Sequence, residues 1–180
     1  EFSIVLVGHD ENGSGNREFF SNWNANGNST TSIFLGLTNG RLVRFSDQFR
    51  STRPVGAKPF ILTAVSGQEG VQLFLGRNLI GERNGGLSGR NLSTPYVIGT
   101  QGNFGREYQK GWLAELIVFD HGLVASERER LWSALEKKYP SLKTVAGVRS
   151  PGRPKRNAEL LAWASLCHVL LNANETIFVD

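Results

Sequence analysis

The sequence predicts an all-β fold, an antiparallel jelly-roll β-sandwich with one C-terminal capping helix, plus a separate apolar C-terminal helix. Three observations predict it. About seven to ten short apolar or alternating stretches are separated by turns rich in Gly, Asn and Ser, with no helical period among them. A single amphipathic helix follows the last of these stretches. Of 180 residues, 39% are hydrophobic, enough for a real core, and 21 are glycine, which suits many tight turns.

The elements follow in order. "EFSIVLVGHD" is apolar through Val7 and then turns polar, as a strand does where it leaves a core. "ENGSGN" is a loop of turn-forming residues. "REFFSNW" reads as a second strand whose bulk is Phe19, Phe20 and Trp23, and "NANGNSTT" as another loop. "SIFLGLT" and "RLVRFS" flank Asn39-Gly40, a two-residue hairpin signal. In the second of these, Leu42, Arg44 and Ser46 alternate with Val43 and Phe45. "DQFRSTRPVGAK" reads as a long polar loop. "PFILTAVS" is a buried-strand candidate, and "VQLFL" and "LIGER" form a second hairpin around Gly76, Arg77 and Asn78. After the loop "NGGLSGRNLSTP" come a short strand "YVIGTQ", the loop "GNFGREYQKG" and a last strong strand "WLAELIVFD".

The helix has marked ends. Ser126 and Glu129 match the S-x-x-E capping box. Leu131, Trp132, Leu135 and Tyr139 fall on one stripe that needs a surface to cover. Lys137 and Lys138 suit the negative end of the helix dipole, and Pro140 blocks continuation. This places one domain over residues 1–140. A Pro/Gly-rich basic stretch over 141–157 reads as a linker, and 158–180 as a helix apolar nearly all round with an extended end. Such a helix belongs inside a larger body, so that segment reads as part of a second, mostly absent domain. The chain is expected to be a piece of a longer protein. It opens directly on a strand, without a signal peptide.

Composition excludes several classes of activity. The net charge is +4, and the densest basic run, "VRSPGRPKRN", sits in the linker, so no nucleic-acid partner is expected. No apolar run is long enough to insert into a membrane. The single cysteine, Cys167, makes an internal disulfide impossible and reads as a core residue. The three histidines stand in separate contexts, no G-x-S-x-G occurs, and no cluster has zinc-ligand spacing. Glycoside hydrolysis needs paired carboxylates. Among Asp10, Asp47, Asp120 and Asp180 none lies in such an array, and Glu115 stands alone in an apolar strand, read as a buried acid held by an arginine or backbone donors. The chain is therefore expected not to be an enzyme. No metal or other cofactor is expected. Calcium could draw on Asp10, Glu11, Asn12 or Asp47, but so few aspartates do not support it.

The stretch from "GVQLFLGRNLIGER" to "GWLAELIVFDHGLVASERERLWSALEKKY" resembles the concanavalin A-like lectin/glucanase superfamily, in its laminin-G-like jelly-roll branch. Gly111, Leu113, Ala114, Glu115, Val118, Phe119, Asp120, Leu123 and Ser126 carry the closing motif. Trp112 stands where the family often has a small or acidic residue, so an ion-binding acid does not carry over. The tail "LCHVLLNANETIFVD" is similar to the end of a domain of unknown function in large exported planctomycete-type proteins. Together these resemblances imply an exported or cell-surface, non-catalytic carbohydrate-binding or interaction module. The alternatives are a purely architectural spacer and, behind it, a glycoside hydrolase-like domain. The expected partner is a polysaccharide or glycan, or neighbouring domains of the same parent protein.

Sugar recognition on a sandwich combines an aromatic platform with Asn, Gln and Arg at its rim. The loops offer Asn22, Trp23 and Asn24 as one group, and Asn103, Arg106 and Tyr108 beside Trp112 as another. Each has a plainer reading, since the tryptophans suit a core and the asparagines suit turns. A basic stretch of Arg41, Arg44, Arg50 and Arg53, with Phe45 and Phe49 among them, suits an acidic glycan.

Overall fold

The computed structural model describes residues 1–23, 32–87, 95–102 and 106–142. The apolar helix expected over 158–180, Cys167, and the linker beyond Leu142 lie outside the described residues, as do Asn24 and Asn103.

Ten strands and one long helix are described: β1 (Phe2–Asp10), β2 (Arg17–Ser21), β3 (Phe34–Leu37), β4 (Leu42–Phe45), β5 (Phe49–Pro54), β6 (Phe60–Gly67), β7 (Gly70–Leu75), β8 (Asn78–Arg83), β9 (Val97–Ile98), β10 (Gly111–Phe119) and α1 (Ala125–Lys138). They form two five-stranded sheets. The first has the order β10-β1-β6-β7-β8 and the second β5-β4-β3-β2-β9. Every strand pairing is antiparallel. The chain runs from the first sheet into the second for β2 to β5, returns for β6 to β8, crosses again for β9 and comes back for β10.

The first sheet is buried on both faces, which explains its unbroken apolar runs. Alternate residues of β1 and β6 point opposite ways. Ile4, Leu6, Leu62 and Ala64 enter the core between the sheets with Leu35, Leu37, Val43 and Phe45. Val5, Val7, Ile61 and Val65 face the other way, onto Trp132 and Leu135 of α1. The helix stripe read from the sequence is the one that covers this face, because Leu131 and Tyr139 also pack there. Fully burying side chains of this size stabilises by about 1.5–3 kcal/mol each. Ser3 ties β1 to the chain entering the helix: its Oγ donates to the His121 carbonyl and accepts from the Leu123 N–H, both at 2.9 Å.

Three local expectations are corrected. "DQFRSTRPVGAK" is not all loop: Phe49–Pro54 forms β5, the edge of the second sheet, paired through Arg44 opposite Arg50. The helix begins one residue before Ser126, with Val124 as its N-cap. Valine has no side-chain acceptor, so only the acidic half of a capping box exists, with the Val124 N–H donating to Glu127 Oε2 at 3.0 Å. Glu129 turns instead to Arg77 in the β7–β8 turn. Lastly, Glu115 is half-buried on the helix side, held by Lys138 Nζ and by the Tyr139 hydroxyl rather than by arginine or backbone donors.

Candidate functional site

The second sheet turns one face to the core and the other away from it. The alternation read in β4 holds: Val43 and Phe45 are buried in the core, and Arg44 points outward. Across the sheet Arg44 pairs with Gly36, and Gly36 with Glu18. A Cβ at Gly36 would run into the Arg17 carbonyl and come within 2.5 Å of Glu18 Oε2, so the missing side chain makes the space in which the Glu18 carboxyl lies. The Arg44 guanidinium lies over the Phe34 ring, 4.8 Å from its centroid. It reaches two acids at once, Glu18 Oε1 at 3.4 Å and Glu107 Oε2 at 3.1 Å.

Glu107 comes from a distant stretch that runs along the edge of β2. The Glu18 N–H donates to the Glu107 carbonyl at 2.9 Å, and Tyr108 lies opposite Glu18 in an isolated bridge. Asn16 Nδ2 donates to Glu107 Oε1 at 3.0 Å. The backbone of Glu107 has φ 55, a left-handed conformation costly for a glutamate, and side-chain and backbone bonds together hold the segment in place.

The two acids are not equivalent. Glu18 is 1% exposed, and its Oε2 has no hydrogen-bond donor. Burial pushes its carboxyl well above the usual glutamate range, a contact with the Glu107 carboxyl adds to this, and Arg44 opposes it. A proton on Glu18 makes it a donor toward Glu107, which leaves one negative charge facing one guanidinium. Arg44 and Glu107 keep partial access, at 12% and 20%, and Tyr108 is 59% exposed. The accessible groups are thus a tyrosine, a carboxylate and a guanidinium, with Glu18 beneath them. Such a set can stack on a sugar ring and exchange hydrogen bonds with its hydroxyls.

A second buried cluster closes the end of β1. Arg17 binds Asp10 through two nitrogens, Nε at 2.7 Å and Nη2 at 3.1 Å, and Arg41 Nε joins at 3.1 Å. The Gly13 N–H donates to Asp10 Oδ2 at 2.9 Å. Burial alone would raise the Asp10 carboxyl, but the hydrogen bonds from Arg17 and Gly13 and the two guanidinium charges hold it below the usual range. Both oxygens are engaged, so Asp10 does not serve as the calcium ligand considered from the sequence. Among the described residues no group of three or more His, Cys, Asp or Glu could hold a metal ion. No described helix is long and apolar enough to cross a membrane.

The sequence-derived candidates separate accordingly. Arg44 and Tyr108 come together through Glu18 and Glu107, and Arg106 is exposed on the same segment. Asn22 is buried, and its Oδ1 accepts from the Ile33 N–H at 2.6 Å, a clip between the ends of β2 and β3. Trp23 is half-buried, and its peptide packs directly against Gly102. Trp112 belongs to the other sheet, where it meets the His9 ring at 5.9 Å and packs toward the helix. It does not join Tyr108. The basic stretch is also divided: Arg41 and Arg44 are bound to acids, while Arg50 and Arg53 are exposed on β5. Sequence reasoning missed Glu18, Glu107 and Asn16. Their only signal was an acid inside the aromatic strand "REFFS".

A scan of the sequence against protein-family models gives no match, and neither does a search of curated proteins. Solved structures do match. A candidate carbohydrate binding protein from Bacteroides ovatus ATCC 8483 aligns over 70% of this chain and 39% of its own, with TM-score 0.56 and 13% identity. The CBM40 of Ruminococcus gnavus IT-sialidase, bound to alpha2,3 sialyllactose, aligns over 72% of this chain and 80% of its own, with TM-score 0.58 and 12% identity. Trypanosoma rangeli sialidase in complex with sialic acid aligns over 77% of this chain and 23% of its own, with TM-score 0.53 and 15% identity. The chain thus spans well under half of the first and third of these proteins. The likeness bears on the fold alone, and it agrees with the two-sheet antiparallel β-sandwich.

Proposed function

We propose that this chain is a non-catalytic carbohydrate-binding module of a larger exported protein, and that it takes its glycan at Tyr108, Glu107 and Arg44. The observation that carries this reading is the exposed Tyr108 ring beside a partly accessible carboxylate–guanidinium pair, on the sheet that the helix does not cover. Similarity to a module bound to sialyllactose supports it. The exported setting rests on the resemblance of the tail sequence. The non-catalytic part rests on the acids themselves. Glycoside hydrolysis uses carboxyls about 5–9.5 Å apart, with the scissile bond between them. Glu18 and Glu107 share the Arg44 guanidinium, and Glu18 lies beneath the surface.

A docking domain with no sugar ligand is the second reading. It is favoured by Ile98, 47% exposed, which borders β2 as Tyr108 does and offers a protein neighbour an apolar edge. A glycan array and affinity electrophoresis of the whole chain decide between them. Retention of a glycan that Tyr108→Ala and Arg44→Met both weaken supports the module. Retention of none supports docking. Any hydrolysis of the retained glycan that Glu107→Gln abolishes overturns the non-catalytic assignment.

A further inference from the structure

The site described above contains a feature that sugar binding does not require. A carboxyl with one orphaned oxygen is buried against a second carboxyl, and a single guanidinium serves both. We propose that the proton shared between Glu18 and Glu107 is a latch that holds residues 106–109, and with them Tyr108, in the binding position, so that the module releases its glycan when the cluster loses that proton. This rests on the carbohydrate-binding reading for its ligand, but not for the latch itself.

The charges around Glu18 set the direction. From β4 comes Arg44, from the turn after it Asp47, and from the edge segment Glu107. Arg50 stands opposite Arg44 on β5 and is exposed. With Glu18 protonated, Arg44 and Glu107 balance, and every acid in contact has a donor. With Glu18 ionised, two carboxylates and Asp47 face the one Arg44 guanidinium, and the orphaned oxygen becomes a buried charge without a donor. The weakest element then yields. That element is the Glu107 side chain, held by Asn16 and Arg44 on a residue of positive φ, while the backbone there keeps its own bonds, the Glu18 N–H to the Glu107 carbonyl and the Gln109 N–H to the Gly99 carbonyl. Tyr108 follows it in the chain and moves with it.

The linkage has a definite sign. Glu18 is held protonated in the closed form, so closure is fully favoured at low pH and lost as pH rises through its folded pKa. Between the Glu18 pKa of the open form and its higher pKa in the closed form, closure weakens by about tenfold for each pH unit, and glycan affinity falls with it once the open form dominates. Glu18 is a positioning residue here and does not touch the sugar.

The test uses the whole chain in two arms, between about pH 4 and pH 9. In the first, carboxyl carbon NMR follows Glu18 and amide hydrogen exchange follows residues 106–109, without ligand. The expected result is a Glu18 titration far above the ordinary glutamate range, with loss of protection at 106–109 through the same pH interval. In Glu18→Gln, where the amide can still donate to Glu107, that loss disappears. A Glu18 that titrates in the ordinary range, or protection that does not change with pH, overturns the latch and needs no folding of any variant. In the second arm, the glycan retained best on the array is titrated against wild type and Glu18→Gln. A sloping profile for wild type and a flat one for Glu18→Gln is expected, and equal slopes overturn the coupling. If the first arm succeeds and no glycan is retained at any pH, the carbohydrate reading fails while the latch stands.

Discussion

Trp132 of α1 donates its indole N–H to the Thr63 hydroxyl of β6 at 2.9 Å, and both partners are buried. This buried polar link lies inside the apolar contact between helix and first sheet, and it ties one face of the helix to one strand. Trp132→Phe keeps the ring contact with Phe74 but leaves the Thr63 hydroxyl buried without its donor. The expected loss is about 1–3 kcal/mol, read as a shift in denaturant midpoint at constant m-value. Adding Thr63→Val should recover much of it, since an unpaired polar group would no longer be buried.

The Asp10–Arg17 pair should be much more sensitive than any surface pair. Both side chains are at most 1% exposed, and removing one partner strands the other. Asp10→Ala is expected to cost about 3–5 kcal/mol. The Asp10 carboxyl is held below its usual range, so its contribution is present above the unfolded-state pKa and lost as pH falls through the folded one. Acid unfolding of wild type should therefore include a component that Asp10→Asn lacks, measurable by circular dichroism across a pH series.

Arg77 supplies the contrast. It bridges the β7–β8 turn to Glu129 at 3.0 Å, to the Ser133 hydroxyl at 3.1 Å and to Glu136, and its side chain is 40% exposed. Three partners on one guanidinium look substantial, but solvent screens them. Arg77→Ala is expected to change stability by only about 0.2–1 kcal/mol, and less in high salt.

Patterned burial made most of the fold legible in the sequence. Leu131, Trp132, Leu135 and Tyr139 repeat at helical spacing because one helix face meets one sheet, and Val43 and Phe45 alternate with Arg44 because β4 has one buried face. The strand β5 was hidden for the opposite reason. Of its six residues only Ser51 is fully buried, and arginines with a terminal proline make an edge strand read as a loop. The helix start was misplaced because Glu127 caps from inside the helix, a role that any glutamate near a start could fill. The site was the least legible part. Glu18 and Glu107 are 89 residues apart, since 107 − 18 = 89, and only the edge pairing of β2 brings them together. No local spacing records such a meeting.

Gly36 shows how tightly that meeting is built. Its place in β3 needs no special backbone angle, so its requirement is purely for space. Gly36→Ala puts a methyl against the Arg17 carbonyl and the Glu18 carboxyl, neither of which can rotate away without breaking the β2–β3 ladder or the Arg44 contact. Overpacking of this kind is expected to destabilise by about 1–3 kcal/mol. It should also shift the Glu18 titration, which carboxyl NMR would detect. A variant as stable as wild type would show that β2 can move aside freely.

Tyr108 and Trp112 are four residues apart and should behave in opposite ways. Tyr108 is exposed at the edge of the second sheet, so Tyr108→Ala is expected to leave stability within about 0.5 kcal/mol of wild type. It should nevertheless weaken glycan retention by about tenfold or more, the effect of removing one anchoring aromatic. Trp112 packs toward the helix against His9, so Trp112→Ala should lower the melting temperature and leave the affinity of the folded fraction unchanged. Affinity electrophoresis and thermal unfolding on both variants check the pair. If Trp112→Ala abolishes retention while Tyr108→Ala binds as wild type, the sugar sits on the helix-bearing sheet, and the assignment to Arg44 and Glu107 falls with it.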